Sequence, residues 1–241
     1  SHTLPPTRRA NVVKKLSEGL LLTYKHINDR YYAEKRRRML LSGARRLEND
    51  GYDDAEGNYV VQNGEEIDGQ YIVQRELGKG SFGVVVQAHD TVEGETVAIK
   101  IIRNKREFIE QARIEHNILS HLARFDTDSK KPMVRLKRQL DWKGHYCLVF
   151  ELLSSSLYEV LKRNGFNGLS LDFVQSVGSQ ILETLAFLAS PQVNIIHCDL
   201  KPENVLLARA KQRQVKVIDF GSSCFAHSSM YTYIQSRFYR S

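Results

Sequence analysis

The sequence predicts an α+β chain in two parts, a strand-rich small unit followed by a more helical one. Three observations carry that expectation. Between Gln70 and Leu153, apolar residues alternate or run in short β-branched stretches punctuated by glycine turns. From Phe108 to Leu122, and again from Val174 to Leu188, apolar residues recur three and four apart, as on one face of a helix. After Ile195, short apolar runs are separated by loops bearing Asp199, Lys201, Asn204 and Asp219.

Bulk properties exclude several classes. A chain of 241 residues can bury one large core or two small ones. Hydrophobic content of 41% and charged content of 26% are those of an ordinary globular protein. No apolar run reaches the length of a membrane-spanning helix, and the polar, basic N-terminal stretch lacks a signal-peptide core. Cys147, Cys198 and Cys224 have no metal-ligand spacing and read as reduced thiols of a cytosolic or nuclear protein. The net charge of +7 is uneven. Residues 1–46 hold 12 Lys or Arg against 3 Asp or Glu, so the remaining residues carry 23 against 25. A basic arm therefore precedes a nearly neutral domain.

In chain order, Leu16, Leu20, Tyr24, Ile27 and Tyr31 form one apolar stripe, predicting a helix from Val12 to about Leu41. Lys35, Arg36, Arg37 and Arg38 close it, as a solvated helix end whose cations suit the C-terminal dipole, or as a nuclear-import or nucleic-acid patch. Stacking aromatics are not interleaved with these charges, which argues against nucleic acid. Asn49-Asp-Gly-Tyr-Asp-Asp54 is turn chemistry leading into an acidic cluster, and Asn58–Val61 has the makings of a short strand. Composition alone reads this stretch as a linker, although its charge invites pairing with the basic arm.

Gln70–Leu77 alternates as a strand, Gly78-Lys-Gly-Ser-Phe-Gly83 follows, and Val84–His89 reads as a second strand. Gly-x-Gly-x-x-Gly also occurs where a loop opens a helix in dinucleotide-binding folds. Val84, Val85 and Val86 are β-branched and start a helix poorly, so this loop joins two strands. Glycines at 78, 80 and 83 let backbone N–H groups approach phosphate oxygens, and Phe82 is expected to shield those phosphates at the tip. Val97-Ala-Ile-Lys100 ends a hydrophobic strand in a lysine, which is costly there without a partner. Glu115 shares the helical face of Phe108, Gln111, Ile118 and Leu122 and is the expected partner; Glu107 and Glu110 lie off that face. His145–Leu153 reads as a buried strand. Ser170 is placed to cap a helix whose core face is Val174, Val177, Ile181, Leu185 and Leu188.

The chemistry concentrates in Ile195–Leu207, which reads Ile-Ile-His-Cys-Asp-Leu-Lys-Pro-Glu-Asn-Val-Leu-Leu, followed by Asp219-Phe-Gly221. Phosphoryl transfer needs a carboxylate to orient an attacking hydroxyl, oxygen ligands for magnesium and a cation for the moving charge. Together with the glycine loop and Lys100, these motifs resemble those of eukaryotic protein kinases. The resemblance implies the bilobal kinase fold, with a complete β-rich small lobe and the first part of a helical large lobe. ATP and Mg2+ are the implied cofactors, and proteins bearing Ser or Thr are the implied substrates.

It implies roles residue by residue. Asp199 accepts the hydroxyl proton, Lys201 stabilises the transferred phosphoryl group, and Asn204 and Asp219 hold magnesium. Lys100, tethered by Glu115, positions the α- and β-phosphates. The nucleotide is expected against Leu77, Gly78, Lys79, Gly80, Ser81, Phe82, Gly83, Val84 and Val85 from above. Ala98, Phe150, Glu151, Leu152, Leu153, Leu206 and Ile218 complete its pocket, with backbone groups of Glu151 and Leu153 on adenine.

Finer motifs narrow the resemblance. His-Cys-Asp stands where His-Arg-Asp is more usual, so Cys198 offers no cation to a phosphorylated activation segment. In Met230-Tyr-Thr-Tyr-Ile-Gln-Ser-Arg-Phe-Tyr-Arg240, phosphate on Tyr233 could instead engage Arg237 and Arg240. These stretches, with Asp-Phe-Gly-Ser-Ser-Cys at 219–224, look like the dual-specificity tyrosine-phosphorylation-regulated kinases. Asn49–Asp54 resembles that family's homology box, and Leu22–Asn28 with its basic run looks most like the nuclear class. The implied organisation is a basic extension (1–47), the homology box (48–68), the small lobe (69–152) and the start of the large lobe (153–241). The family also implies autophosphorylation on Tyr233, then phosphorylation of Ser or Thr, often beside proline, in nucleus and cytoplasm. It expects a Pro-Glu pair and further large-lobe helices beyond Ser241, without which the isolated chain is expected to expose apolar surface and lack activity. The alternative is a catalytically inactive truncated form or a pseudokinase scaffold that binds partners; the intact Lys100, Glu115, Asp199, Asn204 and Asp219 argue against it for the parent protein, while it stands for the 241-residue chain by itself.

Overall fold

The computed structural model describes residues 30, 48–210, 212–228 and 234–240. The basic arm before Glu48 (apart from Arg30) and Tyr233 lie outside them, as do the helix and phosphorylation site expected there.

The small unit is a six-stranded antiparallel sheet. Its strands are β1 (Glu66–Ile67), β2 (Tyr71–Gly80), β3 (Gly83–Asp90), β4 (Glu95–Ile102), β5 (Leu136–Trp142) and β6 (His145–Glu151). Their spatial order is β1-β2-β3-β4-β6-β5. Strand period decides which side chains face the cleft. On β4, Val97, Ile99 and Ile101 are fully buried on one face, with Val84, Val86, Leu140, Cys147 and Val149. Ala98, Lys100 and Ile102 alternate onto the other face, where helix α1 (Arg106–Phe125) packs with Leu148 and Phe150. The helix buries Ala112, Glu115, Ile118, Leu119 and Leu122, while Gln111 is exposed.

Two strand expectations change. β6 stops at Glu151, because the Val97–Glu151 pair is its last with β4, and Leu152 and Leu153 leave the sheet. Asn58–Val61 forms no strand, only a bridge between Asp53 and Tyr59. The Asp54 carboxylate accepts the N–H groups of Glu56 and Asn58, each at 2.9 Å, which turns the backbone away from a ladder.

The second unit begins with α2 (Leu157–Arg163), opened by a reciprocal Ser156–Glu159 capping box. α3 (Leu171–Leu188) is capped by the Ser170 hydroxyl. Its buried side is Val177, Thr184 and Leu188, whereas Val174 is 50% exposed and Leu185 37%. The expected core face is thus only half covered. α3 is held from one side, where Thr184 donates to the Pro132 carbonyl and Gln180 bonds the backbone of Arg213 and Val215. Val174, Leu182 and Leu185 stay exposed on the other side. Four short strands follow in two antiparallel pairs: β7 (Ile195–Ile196) with β10 (Cys224–Phe225), and β8 (Val205–Leu207) with β9 (Val215–Val217). Val217 joins the two units, its carbonyl accepting from Val134 N–H and its N–H donating to Pro132, both at 2.9 Å. No described helix is long and apolar enough to cross a membrane.

Candidate active site

The glycine loop is the tip of the β2–β3 hairpin, as expected. Gly83 has φ +138°, and a Cβ there would lie 2.2 Å from the Ile101 carbonyl oxygen, so only glycine lets β3 start against β4. Phe82 departs from its expected place. Its ring lies over Lys100, 4.5 Å from Nζ to the ring centre, a cation–π contact inside the cleft. Val84 also departs: it packs on the far face of the sheet, because it alternates with Val85, which lines the cleft.

Lys100 and Glu115 meet as expected, with Nζ 2.8 Å from Oε2 and their side chains 12% and 3% exposed. Asp219 adds a second carboxylate 3.4 Å from Nζ. Burial alone would lower Lys100, but the Coulombic pull of Glu115 and then Asp219 outweighs it, and Lys100 is raised. Burial pushes the Glu115 carboxyl up against the pull of Lys100 and a Phe220 N–H. The close contact and the direction of Lys100 define an ammonium–carboxylate pair. Asp219 itself has φ 64° and ψ 69°, a left-handed backbone that sends its carboxylate to Lys100 while Phe220 is fully buried against His197.

The catalytic-loop candidates converge on Asp199. Lys201 Nζ donates to Asp199 Oδ2 at 2.7 Å, and Asn204 Nδ2 donates to the Asp199 carbonyl at 2.9 Å. Ser236, which sequence reasoning passed over, donates its hydroxyl to Asp199 Oδ1 at 2.6 Å and its N–H at 3.1 Å. Lys201 also donates to the Ser236 hydroxyl at 2.9 Å. Partial burial would raise Asp199, but Lys201 and Ser236 outweigh it and hold the carboxyl below its usual range. His197 braces the loop, its Nε2 bonding the Ile218 carbonyl at 3.0 Å and its Nδ1 accepting the Asp199 N–H at 3.2 Å. Burial lowers it, so the ring is neutral, as an acceptor Nδ1 requires. Cys198 adopts φ 65° and places its thiol 3.8 Å from that of Cys224, where no cation could meet an anion.

Lys100, Glu115, Asn204 and Asp219 line a cleft of about 910 Å3, a volume that suits a small-molecule ligand, while Asp199, Lys201 and Ser236 lie outside its wall and are tied to it through Asn204. Leu77, Gly78, Lys79, Gly80, Phe82, Val85, Ala98, Phe150, Glu151, Leu152, Leu153, Leu206 and Ile218 all line it; Ser81 and Gly83 belong to the loop but not to its wall. Glu151 has a further task, its carboxylate accepting Lys216 Nζ at 2.6 Å and the Arg135 N–H at 2.7 Å. Arg240, offered as a phosphate partner, donates to the carbonyls of Ile234 and Gln235.

The residues fit a magnesium-bound triphosphate. Gly78 has open space where a side chain would stand, Lys100 supplies fixed positive charge, and Asn204 and Asp219 both line the cleft with oxygen-bearing side chains. Among the described residues no three His, Cys, Asp or Glu side chains form a metal cage. Mg2+ takes one or two protein oxygens and completes its shell with phosphates and water, and the Asn204 and Asp219 side chains offer two. A family model described as "Protein kinase domain" matches residues 71–241.

Proposed function

This chain belongs to the protein kinase family, and on that footing we propose how its residues divide the transfer of phosphate from ATP to protein. The observation that carries the proposal is a Lys100–Glu115–Asp219 group in the cleft wall and an Asp199–Lys201–Ser236 network joined to that wall by Asn204. Mg2+ neutralises phosphate charge when bound, and Asn204 and Asp219 would hold it. Lys100 stays where Glu115 pins it and orients the α- and β-phosphates. Asp199, ionised and aimed by Lys201 and Ser236, accepts the hydrogen bond and then the proton of a substrate hydroxyl. Lys201 faces the charge that builds on the transferred group. Positioning and fixed charge supply most of the rate gain, since the protein forms no covalent bond to the phosphoryl group.

The finer reading rests on resemblance. The His-Cys-Asp loop, the Asp-Phe-Gly-Ser-Ser-Cys run and the Tyr-Thr-Tyr-Ile-Gln-Ser-Arg segment support a dual-specificity tyrosine-phosphorylation-regulated kinase. Such an enzyme modifies its own Tyr233 and then Ser or Thr of other proteins, often beside proline. Residues 49–61 packed on the small lobe support a homology box there. The basic run Lys35–Arg38 supports nuclear import. The test incubates the protein with labelled ATP, magnesium and a basic protein substrate, followed by phosphoamino-acid analysis. Phosphoserine and phosphothreonine on the substrate, with phosphotyrosine confined to residues 227–241 of the chain, are expected. Phosphotyrosine on the substrate, or none on the chain, would overturn the finer reading.

A further inference from the structure

Residues 49–61 are anchored to the small lobe far more firmly than a linker requires. Asp53 Oδ1 lies 2.8 Å from Nε2 of the fully buried His145 and accepts Asn49 Nδ2 at 2.7 Å. Lys143 sits over the Tyr52 ring at 3.9 Å and near Trp142 at 4.8 Å, while Trp142 donates to the Tyr59 hydroxyl. From this fixed base two arms reach the nucleotide-covering hairpin. Lys79, between the first two loop glycines, places Nζ 2.7 Å from Asp54 Oδ2. Arg103 donates its N–H to the Phe82 carbonyl at 2.8 Å, and its side chain is gripped by Asn58 at 2.8 Å and Glu56 at 3.2 Å. Asn104 N–H, next along, donates to the Gly57 carbonyl.

The Asp54 carboxylate is set before Lys79 arrives. The Glu56 and Asn58 N–H groups and the Asn58 amide all donate to it. Burial would raise it, but Lys79 and Asn58 prevail and hold it well below the usual carboxylate range. A glycine-rich hairpin tip, by contrast, has little besides its own ladder to restrain it. Register shifts between Glu76 and Gly78 loosen that ladder further.

We infer that residues 49–61 strap the glycine loop over the nucleotide phosphates, with Asp54 as a positioning residue acting through Lys79. This deepens the ATP-binding reading and rests on it. The strap pre-orders the loop, so nucleotides that use the loop lose less freedom on binding. Adenosine, which has no phosphates to cover, gains nothing from it.

The test compares the wild-type chain with Lys79→Met, Asp54→Asn and the double variant. Asn at 54 retains an oxygen for the Glu56 and Asn58 N–H groups, and fluorescence of Trp142, the single tryptophan, confirms that the strap base stays docked. Without nucleotide, amide exchange at residues 80–83 should quicken about two- to fivefold in either single variant, as expected for loss of one exposed ion pair. Exchange in α1 should not change. Affinity for a fluorescent ATP analogue should weaken by the same factor, with adenosine unaffected and the double variant no worse than either single. Additive losses, equal loss of adenosine, or an Asp54→Asn variant that leaves loop exchange unchanged would overturn the strap. Loss of ATP affinity in Lys79→Met alone would likewise overturn it and assign Lys79 to direct phosphate contact. A wild-type protein that binds neither nucleotide would instead overturn the ATP reading, and the exchange measurement would still decide the strap.

Discussion

The two charge clusters of the site hold their carboxylates in different ways. Lys100 and Glu115 project from a strand and a helix into a nearly dry interior, where each is the other's main compensation. Asp199 sits on a loop, more accessible, and is held by several small donors from Lys201, Asn204 and Ser236. A buried pair is all-or-none, because removing one member leaves an uncompensated charge. A distributed network degrades by steps. Rigid elements thus hold the cation proposed to position the phosphates, while the carboxylate proposed to meet interchangeable protein substrates sits on a loop.

The sharpest way to break this contrast is to remove each anchor and measure fold and function separately. Lys100→Arg and Asp219→Asn should each abolish phosphate transfer, with the circular-dichroism spectrum of the folded chain retained. Lys100→Met, which strands Glu115, should also lower unfolding stability by about 3 kcal/mol or more in denaturant melts. Asp199→Asn should cost about 10²–10⁴ in turnover through loss of the proton acceptor, yet change stability by less than about 1 kcal/mol. Equal stability losses in the Lys100→Met and Asp199→Asn variants would remove the distinction. Ser236→Ala should lower kcat by up to about tenfold, one charge-assisted bond's worth, with KM for ATP unchanged. A change in KM alone would place Ser236 in nucleotide binding.

pH separates the clusters at opposite ends of the scale. Asp199 is depressed in the folded chain, so its contribution is complete above the ordinary carboxylate value of 3.8 and fades as pH falls through its lower folded value. Lys100 is raised, so its contribution is complete below the ordinary lysine value of 10.5 and fades as pH climbs through its higher folded value. Stability difference curves for Asp199→Asn and Lys100→Met against wild type should therefore bend at the acid and alkaline limits respectively. A bend of either curve near neutrality would contradict these directions. This is the smallest of the expected effects, since both groups are fully charged across the physiological range.

The sequence alone determined the small sheet, the helix bearing Glu115, and the identities of Lys100, Asp199, Lys201, Asn204 and Asp219. The reason is physical: strand and helix periods fix which side chains share a face, and a lysine on an apolar strand demands a carboxylate on the helix that covers it. Period also held the answer for Val84, since a neighbour of cleft-facing Val85 must point the other way. Other features arise from contacts distant in the chain, to which no local spacing points. Ser236 reaches Asp199 across 37 residues and Lys79 reaches Asp54 across 25. Phe82 turns inward because Lys100 offers its ring a cation, and Asn58–Val61 forms no strand because Asp54 captures the N–H groups of Glu56 and Asn58 where it would start. Half of the expected α3 face stays exposed because period states which residues share a side, and only packing decides whether anything covers it.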